Sequence, residues 1–344
     1  MRACYKYMLK LLLNENEEAC VEDAVMGSSA VKIFLKALGM CKRFISVYNE
    51  SLTFEKRNLF EVVIEYPNDD ETAKNSKPVI LLEAGQEAGI ESVNFALFVI
   101  EQLVACVEYS DMLKNVRWVI LPNTNPDGRE FSRHYTAPWK KNMRISEDDR
   151  SIGVDISRNF DYAFSECNRV VNGFSSEYPG KKAMSENETI FIANVLEKHK
   201  NNLRAYVSIR RDGHAILYPF ASTSNSNTNV DKVKAKAGEI VEKINKKAGF
   251  IQLLANNSIF EMNRKAHCGH SVDYVYNKYK QTYAYEFRVF LESDQRIITK
   301  FQVLPRGYET TLRTGYFSVI KELYNIVVSD HKNTTLRKRV MLKV

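Results

Sequence analysis

The sequence predicts one α/β domain, a mixed and mostly parallel central sheet with helices on both faces. Three observations carry that expectation. Short apolar runs end in turn residues, segments with a 3.6-residue apolar period lie between them, and the composition is globular, with 44% hydrophobic and 26% charged side chains in 344 residues. Collagen-like, disordered and disulfide-scaffold classes are thereby excluded. The length allows one large domain or two ordinary ones. No fixed-period repeat or long Pro/Gly linker divides the chain, so a single domain is expected over 29–328, after an N-terminal extension (1–28) and before a basic C-terminal tail (329–344).

Each element has its own signature. Residues 79–83 (VILLE) form a short branched run that Gly85 ends, as a buried strand would. A helix is expected over 91–108, with Phe95, Val99, Leu103 and Val107 on one stripe. A second strand, 116–121, stops at Pro122-Asn123-Thr124-Asn125-Pro126-Asp127-Gly128, a run of turn formers. Residues 205–209 and 283–290 read as further strands. A closing helix over 310–328 carries Leu312, Tyr316, Ile320, Leu323 and Val327, and the polar run 221–229 reads as a loop. Strands that alternate with helices give a sheet covered on both sides.

Charge and cysteine usage narrow the function classes. The 49 basic and 42 acidic residues leave +7, spread along the chain, so no nucleic-acid partner is expected. The one compact basic cluster, Arg337, Lys338, Arg339 and Lys343, falls in the tail, which reads as a floppy terminus. No apolar run is long enough to predict a membrane span. Six scattered cysteines include no C-x-x-C pair, which argues against a thiolate metal site. Lys10 interrupts the apolar residues near the N-terminus and an Asn/Glu run closes them, so no export signal is read there.

In covered sheets of this kind ligands lie beyond the carboxyl ends of the strands. Those segments hold Glu87 and Glu91 after the first strand, Arg210, Arg211, Asp212 and His214 after the third, and Glu286 in the fourth. Here the chain resembles the zinc metallocarboxypeptidases of the pancreatic carboxypeptidase A and B type. The matching landmarks, in order, are Leu121-Pro122 with Asn125-Pro126-Asp127-Gly128, Trp139-Lys140-Lys141, Gly153-Val154-Asp155 with Arg158-Asn159-Phe160, Tyr178-Pro179-Gly180 with Ser185-Glu186, Leu217-Tyr218-Pro219, Ser271-Val272-Asp273-Tyr274, and Tyr285-Glu286-Phe287-Arg288.

The resemblance implies a zinc site of three protein ligands and an open position for water. In this chain Glu87 and Ile90 stand at the His-x-x-Glu pair and Arg210 at the second histidine. A guanidinium has no lone pair to donate and does not deprotonate in proteins. At about 4 Å from a divalent ion, in an effective dielectric near 20, its charge costs ~8 kcal/mol. No cofactor is therefore expected, although zinc serves the family. Glu286 matches the family's general base, but the metal's lowering of water's pKa, from about 15.7 to about 7, is on the order of 12 kcal/mol of help that it would lack. A vestigial Glu286 is expected, with Arg210 either pairing with Glu87, Glu286 or both, or pointing to water.

For substrate binding the resemblance implies Ser157 and Arg158 at the site of a peptide's terminal carboxylate, Lys140 at the carbonyl-polarising arginine, Lys265 at the mobile tyrosine and Val272 at the residue that sets side-chain preference. The cleft should be more basic than in relatives. The family's disulfide positions fall on Ser151 and Phe174, which with the missing export signal disfavours an oxidising compartment and leaves localisation open. The leading expectation is a pseudoenzyme with a retained pocket for peptide or protein C-termini. Two alternatives stand beside it: an active carboxypeptidase with unorthodox ligands Glu87, Glu91 and His214, and an interaction protein with a vestigial cleft.

Overall fold

The computed structural model describes residues 27–40, 44–66, 77–135, 139–147, 150–167, 172–223, 229–248, 255–280, 282–290 and 308–341. In chain order its elements are α1 (Ser28–Gly39), β1 (Ile45–Leu52), β2 (Asn58–Ile64), β3 (Val79–Ala84), α2 (Glu91–Ala105), α3 (Ser110–Asn115), β4 (Arg117–Leu121), α4 (Pro126–Tyr135), α5 (Phe164–Cys167), α6 (Asn187–His199), β5 (Leu203–Arg210), β6 (Ala215–Tyr218), α7 (Asp231–Ala248), β7 (Ala255–Ser258), α8 (Ile259–Asn263), α9 (Ser271–Lys278), β8 (Tyr283–Arg288) and α10 (Tyr308–Met341).

Among the described residues the strands form one eight-stranded sheet in the order β1-β2-β4-β3-β5-β8-β6-β7. β3/β4, β3/β5, β5/β8 and β6/β7 pair in parallel, while β1/β2, β2/β4 and β6/β8 are antiparallel. The predicted mixed sheet is thus present. Its period-2 alternation sends Ile80, Leu82, Ala205 and Val207 into one apolar layer under α1, α2, α7 and α10. Val79, Leu81, Tyr206 and Ala284 enter a second layer beneath α6 and α9. No single helix among the described residues is long and apolar enough to cross a membrane.

The four central strands stand where the apolar runs place them, with end shifts of one to two residues. The hairpin β1/β2 and the short strands β6 and β7 are not among the expected strands, although β6 (AILY) is itself a short buried apolar run. β1 is an edge strand whose side chains are mostly exposed, so it lacks the apolar signature of a buried strand. The tail requires correction: α10 continues to Met341, because a charged sequence free of Pro and Gly retains the backbone preferences of a helix. Of the N-terminal extension only Gly27 and Ser28 are described, and Ser28 already opens α1. Most of the 221–229 loop, 224–228, lies outside the described residues.

Sequence spacing also missed a covalent tie. Cys167, at the end of α5, forms a disulfide with Cys268, just before α9. Phe174, at one of the positions matched to the family's disulfide, is 69% exposed, and Ser151, at the other, is buried. A crosslink across 101 residues removes much of the unfolded chain's loop entropy, about 4.7 kcal/mol in the chain-entropy picture. Replacing both cysteines with serine should lower unfolding stability by a few kcal/mol, and adding reductant should lower the wild type toward the variant. Coincident urea curves for oxidised wild type and double variant would contradict this.

Candidate functional site

The site arises where the second layer stops being apolar. Register aligns Glu83 on β3 with Ser208 on β5, and Ser208 with Glu286 on β8, in one row across the sheet. Two residues on, Arg210 aligns with Arg288. Since side chains two apart share a face, Ser208 and Arg210 point the same way as Glu286 and Arg288. Four strand positions thus place two guanidinium groups and a carboxylate at the carboxyl end of the parallel strands.

Arg210 is almost wholly buried. Its Nη1 lies 3.4 Å from Glu87 Oε1 and its Nε 3.5 Å from Glu286 Oε2. Its Nη2 donates to Gln86 Oε1 at 2.9 Å and its Nε to Ser208 Oγ at 3.2 Å. Arg210 therefore turns inward and reaches both carboxylates. Burial alone would lower its pKa, but the charges of Glu286, Glu87, Glu83 and Asp155 outweigh that and raise it.

Glu286 is held on every side. Arg288 Nε donates to its Oε1 at 2.5 Å, and His270 Nε2 lies 2.8 Å from its Oε2. Because His270 Nδ1 accepts the backbone N–H of Val272 at 3.2 Å, the proton of the neutral ring belongs on Nε2, which donates to Glu286. Burial pushes the Glu286 carboxyl up, yet Arg288, Arg210 and His270 pull it well below the usual carboxylate range. A general base works best with a pKa near the operating pH, and this carboxylate is far from it. Burial, together with the Arg210 charge, lowers His270 to about 4, so the ring is neutral.

A cavity of about 160 Å³ opens over this cluster, lined by Glu87, Lys140, Arg158, Glu177, Lys265 and His267 among others. Gly269 lets the segment before α9 close against it: its φ is +72°, and a Cβ there would stand 2.0 Å from the Arg158 carbonyl oxygen. Lys140 Nζ is 3.9 Å from Glu87 Oε2. Arg158 Nε is 3.4 Å from Asp155 Oδ2 and its Nη2 3.1 Å from Glu177 Oε2, while Lys265 pairs with the other oxygen of Glu177. These contacts leave the cleft with a small excess of basic side chains. Its six Lys and Arg side chains (Lys140, Arg158, Arg210, Arg211, Lys265, Arg288) face five carboxylates (Glu87, Asp155, Glu177, Asp212, Glu286).

The residues read from the sequence separate into two groups. Glu87, Lys140, Arg158, Arg210, Lys265 and Glu286 meet at the cavity. Ser157 and Val272 are not on its wall. The Ser157 hydroxyl is taken by Asp155 Oδ1 at 2.6 Å inside the tight turn at 156–158, and Val272 is fully buried in the second apolar layer. Ile90 sits at the residue before α2. His214 is turned away, its Nδ1 bonded to the Tyr316 hydroxyl and its ring stacked on that tyrosine. Glu177, His270 and Arg288 were missed. The i, i+2 spacing of Glu286 and Arg288 on a strand signals a shared face, whereas nothing local marks the other two.

Of the positions matched to metal ligands, Glu87 alone carries a lone pair, Ile90 has no donor atom, and Arg210 brings a positive charge. Among the described residues no group of three His, Cys, Asp or Glu side chains is arranged to hold a metal ion.

Comparison with known proteins agrees with this architecture. Residues 31–314 match the zinc carboxypeptidase family, Peptidase M14, and the chain belongs to that family. It is 28% identical over 241 residues to zinc carboxypeptidase A 1 of Drosophila melanogaster, covering 69% of this chain and 55% of that protein. It is 29% identical to carboxypeptidase B of Helicoverpa zea, covering 54% and 43%, so these matches span about half the length of those relatives. The solved structure of carboxypeptidase A from Helicoverpa armigera superimposes with a TM-score of 0.76 at 21% identity, over 95% of this chain and 80% of that one, a likeness of fold.

Two outcomes test this geometry. Arg210→Met leaves buried Glu286 and partly buried Glu87 short of a partner and should cost about 3 kcal/mol or more in unfolding stability, part of it recovered by adding Glu87→Gln. A smaller loss in urea unfolding, with no recovery, would contradict the pairing. For His270 the folded pKa is depressed from 6.5 to about 4. The unfolded chain thus binds the extra proton first, and the contribution of the neutral ring is complete above about pH 6.5 and lost as pH falls toward 4. Relative to His270→Gln, the wild type should lose about 3 kcal/mol across that window. A pH-independent difference between the two would show the ring is not buried neutral.

Proposed function

We propose that this family member does not hydrolyse peptides and instead retains a cavity that receives the carboxylate of a peptide or protein C-terminus. The observation that carries the reading is the guanidinium of Arg210 lodged between Glu87 and Glu286. A cation at that point opposes binding of a divalent ion, and the same contact helps to hold Glu286 ionised and hydrogen-bonded rather than free to take a proton. Zinc, the family's metal, is accordingly not assigned to this chain. Arg158 offers the planar fork suited to a carboxylate, and Lys140 and Lys265 add positive charge at the cavity wall. The alternative ligand set is disfavoured because His214 is not on the cavity wall and its ring packs on Tyr316, a residue of the first apolar layer.

The test is a reversal. Glu87→His, Ile90→Glu and Arg210→His in one chain should bring zinc binding, measured by metal analysis after dialysis, while the wild type binds none and leaves peptides with C-terminal aromatic residues intact. Chelator-sensitive release of the terminal residue by the wild type would overturn the reading.

A further inference from the structure

Arg158 Nη2 and Lys265 Nζ both engage the carboxylate of Glu177, one on each oxygen. These are two of the cations expected to meet an incoming carboxylate, and they already hold one. The loop that delivers it is built in place. Its turn is closed by Tyr178 N–H to Ser175 O at 3.3 Å and by Glu177 N–H to Ser175 Oγ at 3.1 Å. Lys141 Nζ donates to Gly173 O at 2.8 Å, and Asp155 N–H donates to Tyr178 O at 2.7 Å, which ties the loop to the segment that carries Arg158. Asn159 Nδ2 holds the continuation through Pro179 O, Lys182 O and Ser185 Oγ. The backbone beside Glu177 is thus fixed, while its side chain is 38% exposed at the cavity mouth.

We infer that Glu177 is an internal ligand of this cavity: its carboxylate occupies the Arg158–Lys265 receptor, and an external carboxylate binds only by displacing it. The inference rests on the proposed carboxylate pocket and adds to it a built-in competitor. It explains why the cavity, for all its basic side chains, is nearly charge-balanced. Exchange of one carboxylate for another keeps that balance, so the ligand class that fits is a monoanionic carboxylate. With Glu177 displaced, six Lys and Arg side chains face four carboxylates, and one incoming carboxylate restores the six-to-five balance.

The experiment measures binding of an N-acetylated dipeptide ending in phenylalanine, as free acid and as C-terminal amide, by calorimetry to the full chain and its variants. Glu177→Gln keeps the shape of the side chain and removes its charge. It should bind the acid at least about tenfold more tightly than the wild type, with no gain for the amide, and Arg158→Ala in the Glu177→Gln chain should abolish the gain. Equal affinity of wild type and Glu177→Gln for the acid, with a loss on Arg158→Ala, would overturn the internal ligand and leave the pocket standing. Affinity for the acid that Arg158→Ala leaves unchanged, or binding to neither chain, would overturn the pocket and the inference together.

Discussion

A guanidinium buried among carboxylates decides what this site can be. Arg210 reaches Glu87 and Glu286 within 3.5 Å and also donates to Gln86 and Ser208. A buried charge is tolerated only when it is paired and hydrogen-bonded, and the surrounding residues serve that need. Arg288 and His270 take up the remaining capacity of Glu286, and Lys140 stands beside Glu87. The arrangement is a closed salt-bridge network whose members satisfy one another. Chemistry at an active site depends instead on a group left incompletely satisfied and poised to react.

The network forms there because of how the sheet is built. Alternation along β3, β5 and β8 fills the second layer with Val79, Leu81, Tyr206 and Ala284, and at the carboxyl ends of the same strands that face turns polar with Glu83, Ser208, Arg210, Glu286 and Arg288. The apolar positions supply the burial that makes the polar ones electrostatically strong. Glu83 shows the consequence where burial prevails: it raises the carboxyl's pKa despite the Arg210 charge and the hydrogen bonds from Thr124, Ser208 and Gln86. Glu286, in the same row two strands over and flanked by two arginines, moves in the opposite direction.

Much of this was legible in the sequence because it rests on local periodicity and on chemistry that belongs to single residues. The apolar runs of β3, β4, β5 and β8 and the stripes of α2 and α10 mark buried elements directly, and a guanidinium is unsuitable as a metal ligand in any fold. What was not legible depends on partners distant in the chain. Glu177 meets Arg158 and Lys265 only after the 172–178 loop folds back, and Cys167 meets Cys268 across 101 residues. Ser157 and Val272 were read as facing a ligand because motif position names a residue without fixing its direction. Asp155 and the apolar layer draw them inward. β1 escaped notice because an edge strand with an exposed face carries no apolar run.

The central claim is that positive charge at residue 210 keeps a divalent ion out. Crystals of the unmodified chain soaked in zinc, with anomalous diffraction recorded on both sides of the zinc absorption edge, test it most directly. The account predicts no anomalous peak within bonding distance of Glu87 or Glu286, with the Arg210 guanidinium in place between them. A fully occupied zinc peak beside Glu87, with Arg210 swung aside, would contradict it.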